Sequence, residues 1–361
     1  MILLRTTIGF VVLGYLAWIG PAHADEPYYA GKRINFIINF SAGGPTDIEG
    51  RLFAKYFVRH IPGQPGVIAQ DMDGAGGMIG ANYLGEVAPK DGTVLGYFTG
   101  SAWRYLMTPD KYRTDFKSYQ FVAYEPGVSV AFARTDIPPG LKEAADIVKA
   151  KGVIAGGLGP ENSKDLLIRL GLDMLGVHYG YVTSYRGSTA ARLALQQGEI
   201  NFFAESPPSY RALIVPTLVK SGEVIPIWYD PIYDNETFSA SKQIEGLPIP
   251  GFPELYRTIN GKLPSGPLWD AYRTVLSVNG AMQRLIVVPP GVPQAVLDTL
   301  RAATRELNAD ADYQHEALAS IGFVPEWEAG PDTNERVRAA LAAKPEMRAF
   351  LLDYIAHPPK K

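Results

Sequence analysis

Short runs rich in β-branched and aromatic residues alternate with helical patterns along most of this chain. That alternation restricts it to layered α/β folds built on largely parallel sheets. Strands are predicted over 34–39, 67–70, 94–98, 121–124, 128–133, 153–155, 179–183, 200–204, 224–228 and 285–288. Helices are predicted over 46–59, 78–87, 141–150, 162–175, 187–197, 208–220, 293–308, 311–320, 333–342 and 345–355. No internal repeat or low-complexity run interrupts the pattern, and the Pro/Gly-dense stretch 231–267 reads as a long connection or insertion. Breaks at 114–119 and 229–236 suggest a chain that leaves one α/β domain and returns, as a hinged cleft requires. The expected division is a leader over 1–24, lobe 1 over 25–119 and 232–361, and lobe 2 over 120–231.

The leader is read from residues 1–24, which carry one charge, Arg5, then the apolar run 8–19, then Pro21-Ala22-His23-Ala24. A basic start, about a dozen apolar residues and an A-x-A ending describe a secretory signal peptide cleaved after Ala24. The run is shorter than the ~20 residues a membrane span needs. The expectation is an exported, periplasmic protein.

Composition narrows the chemistry. The absence of cysteine removes thiol nucleophiles, Cys-ligated zinc, iron–sulfur clusters and disulfides. Five histidines, at 23, 60, 178, 315 and 357, show no HxxxH or HExxH spacing, so neither a metal nor a cofactor is expected. A net charge of −3 gives no broad basic footprint, and nucleic acid is not an expected partner. The 37 glycines and 29 prolines signal many special turns.

Three of those turns join a predicted strand to a predicted helix. The first is Ser41-Ala42-Gly43-Gly44-Pro45-Thr46-Asp47, the second Asp73-Gly74-Ala75-Gly76-Gly77-Met78, the third Gly156-Gly157-Leu158-Gly159-Pro160-Glu161-Asn162-Ser163. Glycine lets backbone amides turn toward one point, and the following helix adds its unpaired amides and positive dipole end. Each turn taken singly more often reflects tight packing than ligand contact, but three across two lobes favour a shared anion cleft. A nucleotide site is disfavoured: there is no GxxxxGK[ST], and Ile79 stands where GxGxxG needs its last glycine.

The motif pair Phe40-Ser41-Ala42-Gly43-Gly44-Pro45-Thr46-Asp47 and Gly74-Ala75-Gly76-Gly77-Met78-Ile79-Gly80-Ala81 resembles the signature of tripartite tricarboxylate transporter substrate-binding proteins. The resemblance continues in Ala88–Leu95, in Tyr185-Arg186-Gly187-Ser188 with Gly198-Glu199-Ile200-Asn201, in Pro289–Pro293 and in Ile321–Pro325. It runs in the family's order from about 30 to 325. It implies an α/β, two-lobed periplasmic-binding-protein architecture of type II, a Venus flytrap with a hinge. It also implies a monomer that hands a small organic anion to integral membrane transporter subunits. By position, the ligand carboxylate would lie on Ser41, Ala42, Gly43, Gly44 and Asp47, then Ala75, Gly76, Gly77 and Met78. The loop after the third strand, Thr99-Gly100-Ser101, with the turn from Gly159 through Asn162 and Ser163, and Tyr185, Arg186, Gly187 and Ser188, would form the opposing wall. The chain departs from the family at Asn39, where proline is common, and at Asp71-Met72-Asp73, where "N-R-P" is common. Two carboxylates there would oppose a dianionic, citrate-like ligand unless they point away or bind donors.

Among the remaining candidates, Arg186 could fork onto a distal carboxylate. Trp103, Arg104 and Tyr105 form either a cationic, aromatic cleft edge or ordinary core, and Glu205-Ser206 either line a mouth or precede a chain break. Ser41, Ser101 and Ser163 have no evident histidine base, and no G-x-S-x-G elbow exists, so the chain reads as a non-enzyme. Two alternatives stay open: an exported enzyme acting on a carboxylated substrate, and a solute receptor for a sensory membrane protein.

Overall fold

A computed structural model describes residues 26–234, 236–342 and 345–358. The predicted leader, 1–24, lies outside the described residues. Two five-stranded sheets of the same plan form the two lobes. The first contains β1 (Arg33–Ile38), β2 (Gly66–Asp71), β3 (Val94–Thr99) and β4 (Gln120–Glu125). The second contains β5 (Ser129–Arg134), β6 (Val153–Gly156), β7 (Tyr179–Val182), β8 (Phe202–Glu205) and β9 (Val224–Asp230). A hairpin, β10 (Ile232–Asp234) with β11 (Thr237–Ser239), follows, and β12 (Arg284–Val288) returns to the first sheet. The spatial orders are β2-β1-β3-β12-β4 and β7-β6-β8-β5-β9. In each, three parallel strands meet one antiparallel strand, β12 or β5, which pairs on its far side with the last strand.

The helices are α1 (Pro45–Phe57), α2 (Met78–Glu86), α3 (Ser101–Met107), α4 (Ser163–Met174), α5 (Gly187–Gln197) and α6 (Pro207–Ser209), which continues as a π-helix over Tyr210–Val219. Then come α7 (Phe252–Asn260), α8 (Pro267–Val275), α9 (Gln294–Asn308), α10 (Ala311–Ile321), α11 (Thr333–Ala340) and α12 (Pro345–Ala356). Residues 285–288 and 121–123 are fully buried, the mark of strands covered on both faces. Phe53 and Phe57 of α1, Leu297 and Leu300 of α9 and Tyr313 of α10 cover one face of the first sheet. Leu84 of α2, Trp103 of α3 and Val337 of α11 cover the other. In the second lobe α4, α7 and α8 pack on one face, and α5 with the π-helix on the other.

All ten predicted strands form. The crossing between lobes does not fall at 114–119. Residues 120–125 pair antiparallel with β12 in the first sheet, so the chain changes sheets over 126–128. The return is later than 229–236. Helices α7 and α8 stay on the second lobe, against β9 and α4, and the chain crosses at 276–283. The expected lobe 2 over 120–231 is therefore displaced at both ends.

The stretch 231–267 is more regular than expected because its prolines and glycines start and stop elements. Gly251 and Gly266 are N-caps, with Pro253 and Pro267 in the first turns that follow, and Gly261 ends α7 in the left-handed conformation. The helix predicted over 141–150 shortens to a 3₁₀ segment, Ala144–Lys149, whose buried contribution is Ile147. The helix predicted over 208–220 widens to π geometry around Pro216, which has no N–H to give to an α-helical ladder.

Candidate functional site

The two lobes meet around a narrow cavity. Three helices of eleven to thirteen residues begin at its wall: α1 through Gly44, Pro45 and Thr46; α4 through Asn162, Ser163 and Lys164; α5 through Gly187 and Ser188. Gly100 and Trp103 at the start of α3, and Ser206 ahead of α6, complete the ring with Thr99, Asn279 and Gln283. A helix start leaves amides unpaired and concentrates positive potential. Here such starts converge from both lobes on one point. Arg104 and Lys164 add two formal positive charges, and among the described residues no aspartate or glutamate lines the cavity.

The cavity has a volume of ≈ 40 Å³. That corresponds to about three waters, or a small head group. It communicates with an outer chamber of ≈ 530 Å³ past a neck of Phe40, Ser41, Gly76, Arg104, Leu158, Asn162 and Gly187. The chamber adds Asp73, Gly74, Ala75, Gly77 and Ile79 from the first lobe, and Ser184, Tyr185 and Arg186 from the second. Ala75 (φ +48°) and Ser184 (φ +76°) hold left-handed backbone on opposite walls. Such conformations each cost about 1–3 kcal/mol and persist where the surroundings enforce them.

The lobes are in direct contact here. The Trp103 indole N–H donates to the Glu161 carbonyl at 2.9 Å, joining α3 to the third glycine turn. Arg104 stands 4.0 Å and Lys111 3.9 Å from the Glu161 carboxylate. Gly187 lies so close to Ser41 that a Cβ on it would sit 2.5 Å from the serine Oγ.

Of the residues expected from sequence, Ser41, Gly44, Gly76, Asn162, Ser163 and Gly187 line the inner cavity. Ala75, Gly77, Tyr185 and Arg186 line the outer chamber. Six others do neither. Asp47 accepts a hydrogen bond from the Gly43 amide at 2.8 Å and pairs with Arg51, so Gly43 and Asp47 brace the first turn internally. Ala42 stands away from the cavity wall. Met78 is packed in the core, and Ser101 Oγ accepts from Asn39. The Gly159 amide donates to Asp165 at 2.9 Å, and the Leu158 amide to the same carboxylate at 3.2 Å. Asp165 also accepts from the Tyr181 hydroxyl at 2.6 Å; burial pushes its pKa up to about 6, against the pull of these donors. This part of the third turn is thus spent on an internal carboxylate.

The departures from the family pattern have structural roles. Asn39 is buried and bridges two loops, donating to the Thr99 carbonyl at 3.1 Å and accepting from the Thr99 amide at 3.0 Å. Asp71 is drawn off by Arg51 at 3.0 Å, outside the inner cavity, while Asp73 faces the outer chamber.

Sequence reading missed Thr46, Lys164, Asn279 and Gln283 as cavity residues, whereas Ser188, expected in the opposing wall, lines the cavity. Thr46 donates to Thr99 at 2.9 Å, and the Gln283 amide to the Val128 carbonyl at 2.9 Å across the hinge. Behind Lys164 lies buried Glu205, held by Arg192 at 3.0 Å. Burial raises the Glu205 pKa and lowers that of Lys164, each offset in part by the other's charge.

No protein-family model matches the chain. A UPF0065 protein from the TAR-I ttuE-ttuC' intergenic region of Agrobacterium vitis is 29% identical over 217 residues, 58% of each chain. A UPF0065 protein from the gbd 5' region of Cupriavidus necator is 26% identical over 191 residues, 52% of this chain and 57% of its own. The chain thus matches less than two thirds of the length of these curated relatives. Among solved structures, Rhodopseudomonas palustris Rpa4515 with adipate superposes with a TM-score of 0.68 at 18% identity, covering 89% of this chain and 97% of that one. The periplasmic binding protein BugD gives 0.64 at 18% identity over 90% and 98%, and MatC of R. palustris with bound malate gives 0.62 at 18% over 88% and 99%. The structural neighbours are periplasmic solute-binding proteins of the BugD and TctC kind, and the chain has their two-lobed α/β fold.

Proposed function

We propose that the protein is a periplasmic receptor that captures a small carboxylate-bearing organic anion between its lobes and delivers it to a tripartite tricarboxylate-type membrane transporter. The observation that carries this reading is the convergence of helix starts from both lobes on a cavity that, among the described residues, is lined by two cations and no acid. Oriented amides and hydroxyls grip a carboxylate without making a covalent bond. A ligand bridging both walls stabilises the closed form by its differential affinity for that form, and a permease can recognise the closed surface. Export through the leader and a non-catalytic role belong to the same reading. So does the contrast with an enzyme: the serines at the wall have no histidine beside them among the described residues.

Calorimetric titration of refolded, ligand-stripped protein tests it. Saturable, one-to-one binding of adipate, malate or a related acid, with no turnover, is expected at a Kd well below ~1 mM. Product release from a bound acid or ester would favour the enzyme, and the absence of any carboxylate binding would remove the receptor reading.

A further inference from the structure

Lys164 is the cavity residue that the glycine-turn pattern gives no reason to expect. It is the second residue of α4, and its backbone amide is capped by the Asn162 side chain at 3.0 Å. Its ammonium donates to Ser188 Oγ at 3.2 Å and to the Ala204 carbonyl at 3.4 Å. Both partners are neutral and both bonds long. Among the described residues no carboxylate lies within 4.0 Å of it, because Glu205 is engaged by Arg192 and Asp165 by two amides and Tyr181. An enclosed ammonium without a close counter-ion is costly to a folded chain. This one lines a cavity ringed by helix starts.

Resting on the carboxylate reading above, we propose that the Lys164 ammonium receives the acid group of the ligand inside the inner cavity, while the ligand's body occupies the outer chamber. The sizes agree with that orientation. A carboxylate matches the inner cavity's ≈ 40 Å³, and a carbon chain requires the ≈ 530 Å³ chamber beyond the neck. The substrate class is an organic acid with a slender, unbranched acid end. Arg104, across the neck on α3, adds a second cation from the opposite lobe, so the acid group also draws the lobes together. The charges facing the ammonium are Glu205 on β8, Asp165 on α4, Arg192 on α5 and Arg284 on β12. None is within ion-pair distance of it among the described residues.

The test compares wild type with Lys164→Met and Lys164→Gln, using adipate, malate and hexanoate as probes and calorimetry as readout. Each variant is expected to weaken the acids that wild type binds by about 30-fold or more, as removal of one partner from an enclosed charge pair does. The ligand-free melting temperature is expected to stay level or rise, since an unpaired ammonium is removed. Wild-type affinity is expected to fall as pH rises through a range below the ordinary lysine value of 10.5, because burial lowers the Lys164 pKa, and this slope to vanish in both variants. Affinity changed less than threefold in the variants would overturn the inference while leaving the receptor reading intact. Variants that fail to fold, or melt well below wild type, would make Lys164 a structural counter-charge and also overturn it. Failure of wild type to bind any of the three acids would overturn the carboxylate reading itself.

Discussion

Gly187 shows how one atom can decide whether the cleft closes. Its φ of +82° disfavours any side chain, and a Cβ there would stand 2.5 Å from Ser41 Oγ on the opposite lobe. Gly187→Ala is expected to lower affinity for the bound acid at least tenfold while reducing unfolding free energy by only about 1 kcal/mol. Parallel calorimetric titration and urea unfolding would check both halves. Glycines of this kind were legible in the sequence because only a special backbone conformation explains them at a strand–helix junction. The division of labour inside each turn was not. Gly43 and Asp47 satisfy each other, and Gly159 serves Asp165, so their amides turn inward rather than to the cleft. A motif states which residues are adjacent, and hydrogen-bond competition decides which donors remain. Lys164 was invisible for a related reason: its neighbours Ser188 and Ala204 are 24 and 40 residues away along the chain.

At the scale of elements, alternation and glycine placement made the ten strands of the two large sheets legible, but not the short hairpin of β10 and β11, nor the order of strands in each sheet. Placing 120–125 requires knowing that β12, more than 150 residues later, inserts beside it. Helix α3 escaped notice because seven residues carry too little periodicity. Helices α7 and α8 hid behind prolines that sit at their starts. The strands of the second lobe nearest the hinge are tied by Asp230, at the end of β9. It accepts from Ser129 at the start of β5, from Tyr272 of α8, and from the Trp228 indole at 3.0 Å. Burial pushes its pKa up to about 6 against these donors. Because the folded value lies above the ordinary 3.8, the folded state favours the protonated form. This contribution is fully present below pH ~4 and is lost as pH rises through about 6. Asp230→Asn is expected to flatten the pH dependence of stability between pH 4 and 6 by roughly 3 kcal/mol. Denaturant unfolding at several pH values would measure it; an unchanged profile would contradict the assignment.

Across the whole molecule, several contacts knit the lobes and the hinge. On β12, Arg284 pairs at 2.6 Å with Glu49 of α1, both fully buried, so the helix that opens at the cavity is anchored to the strand that returns from the second lobe. Gln243 reaches Glu125 at 2.9 Å where β4 leaves the first sheet. Helix α12 spans both lobes, with Arg348 on the Leu106 and Met107 carbonyls at 2.9 and 2.8 Å and Tyr354 on Asp173 at 2.5 Å. The central claim is that this closed frame holds an acid group between helix starts of the two lobes. A crystal structure of the protein with adipate or malate tests it most directly. The account predicts a carboxylate in the inner cavity within about 3 Å of the Lys164 ammonium and of donors at Thr46 and Ser163. An acid bound only in the outer chamber, or outside the cleft, would contradict it.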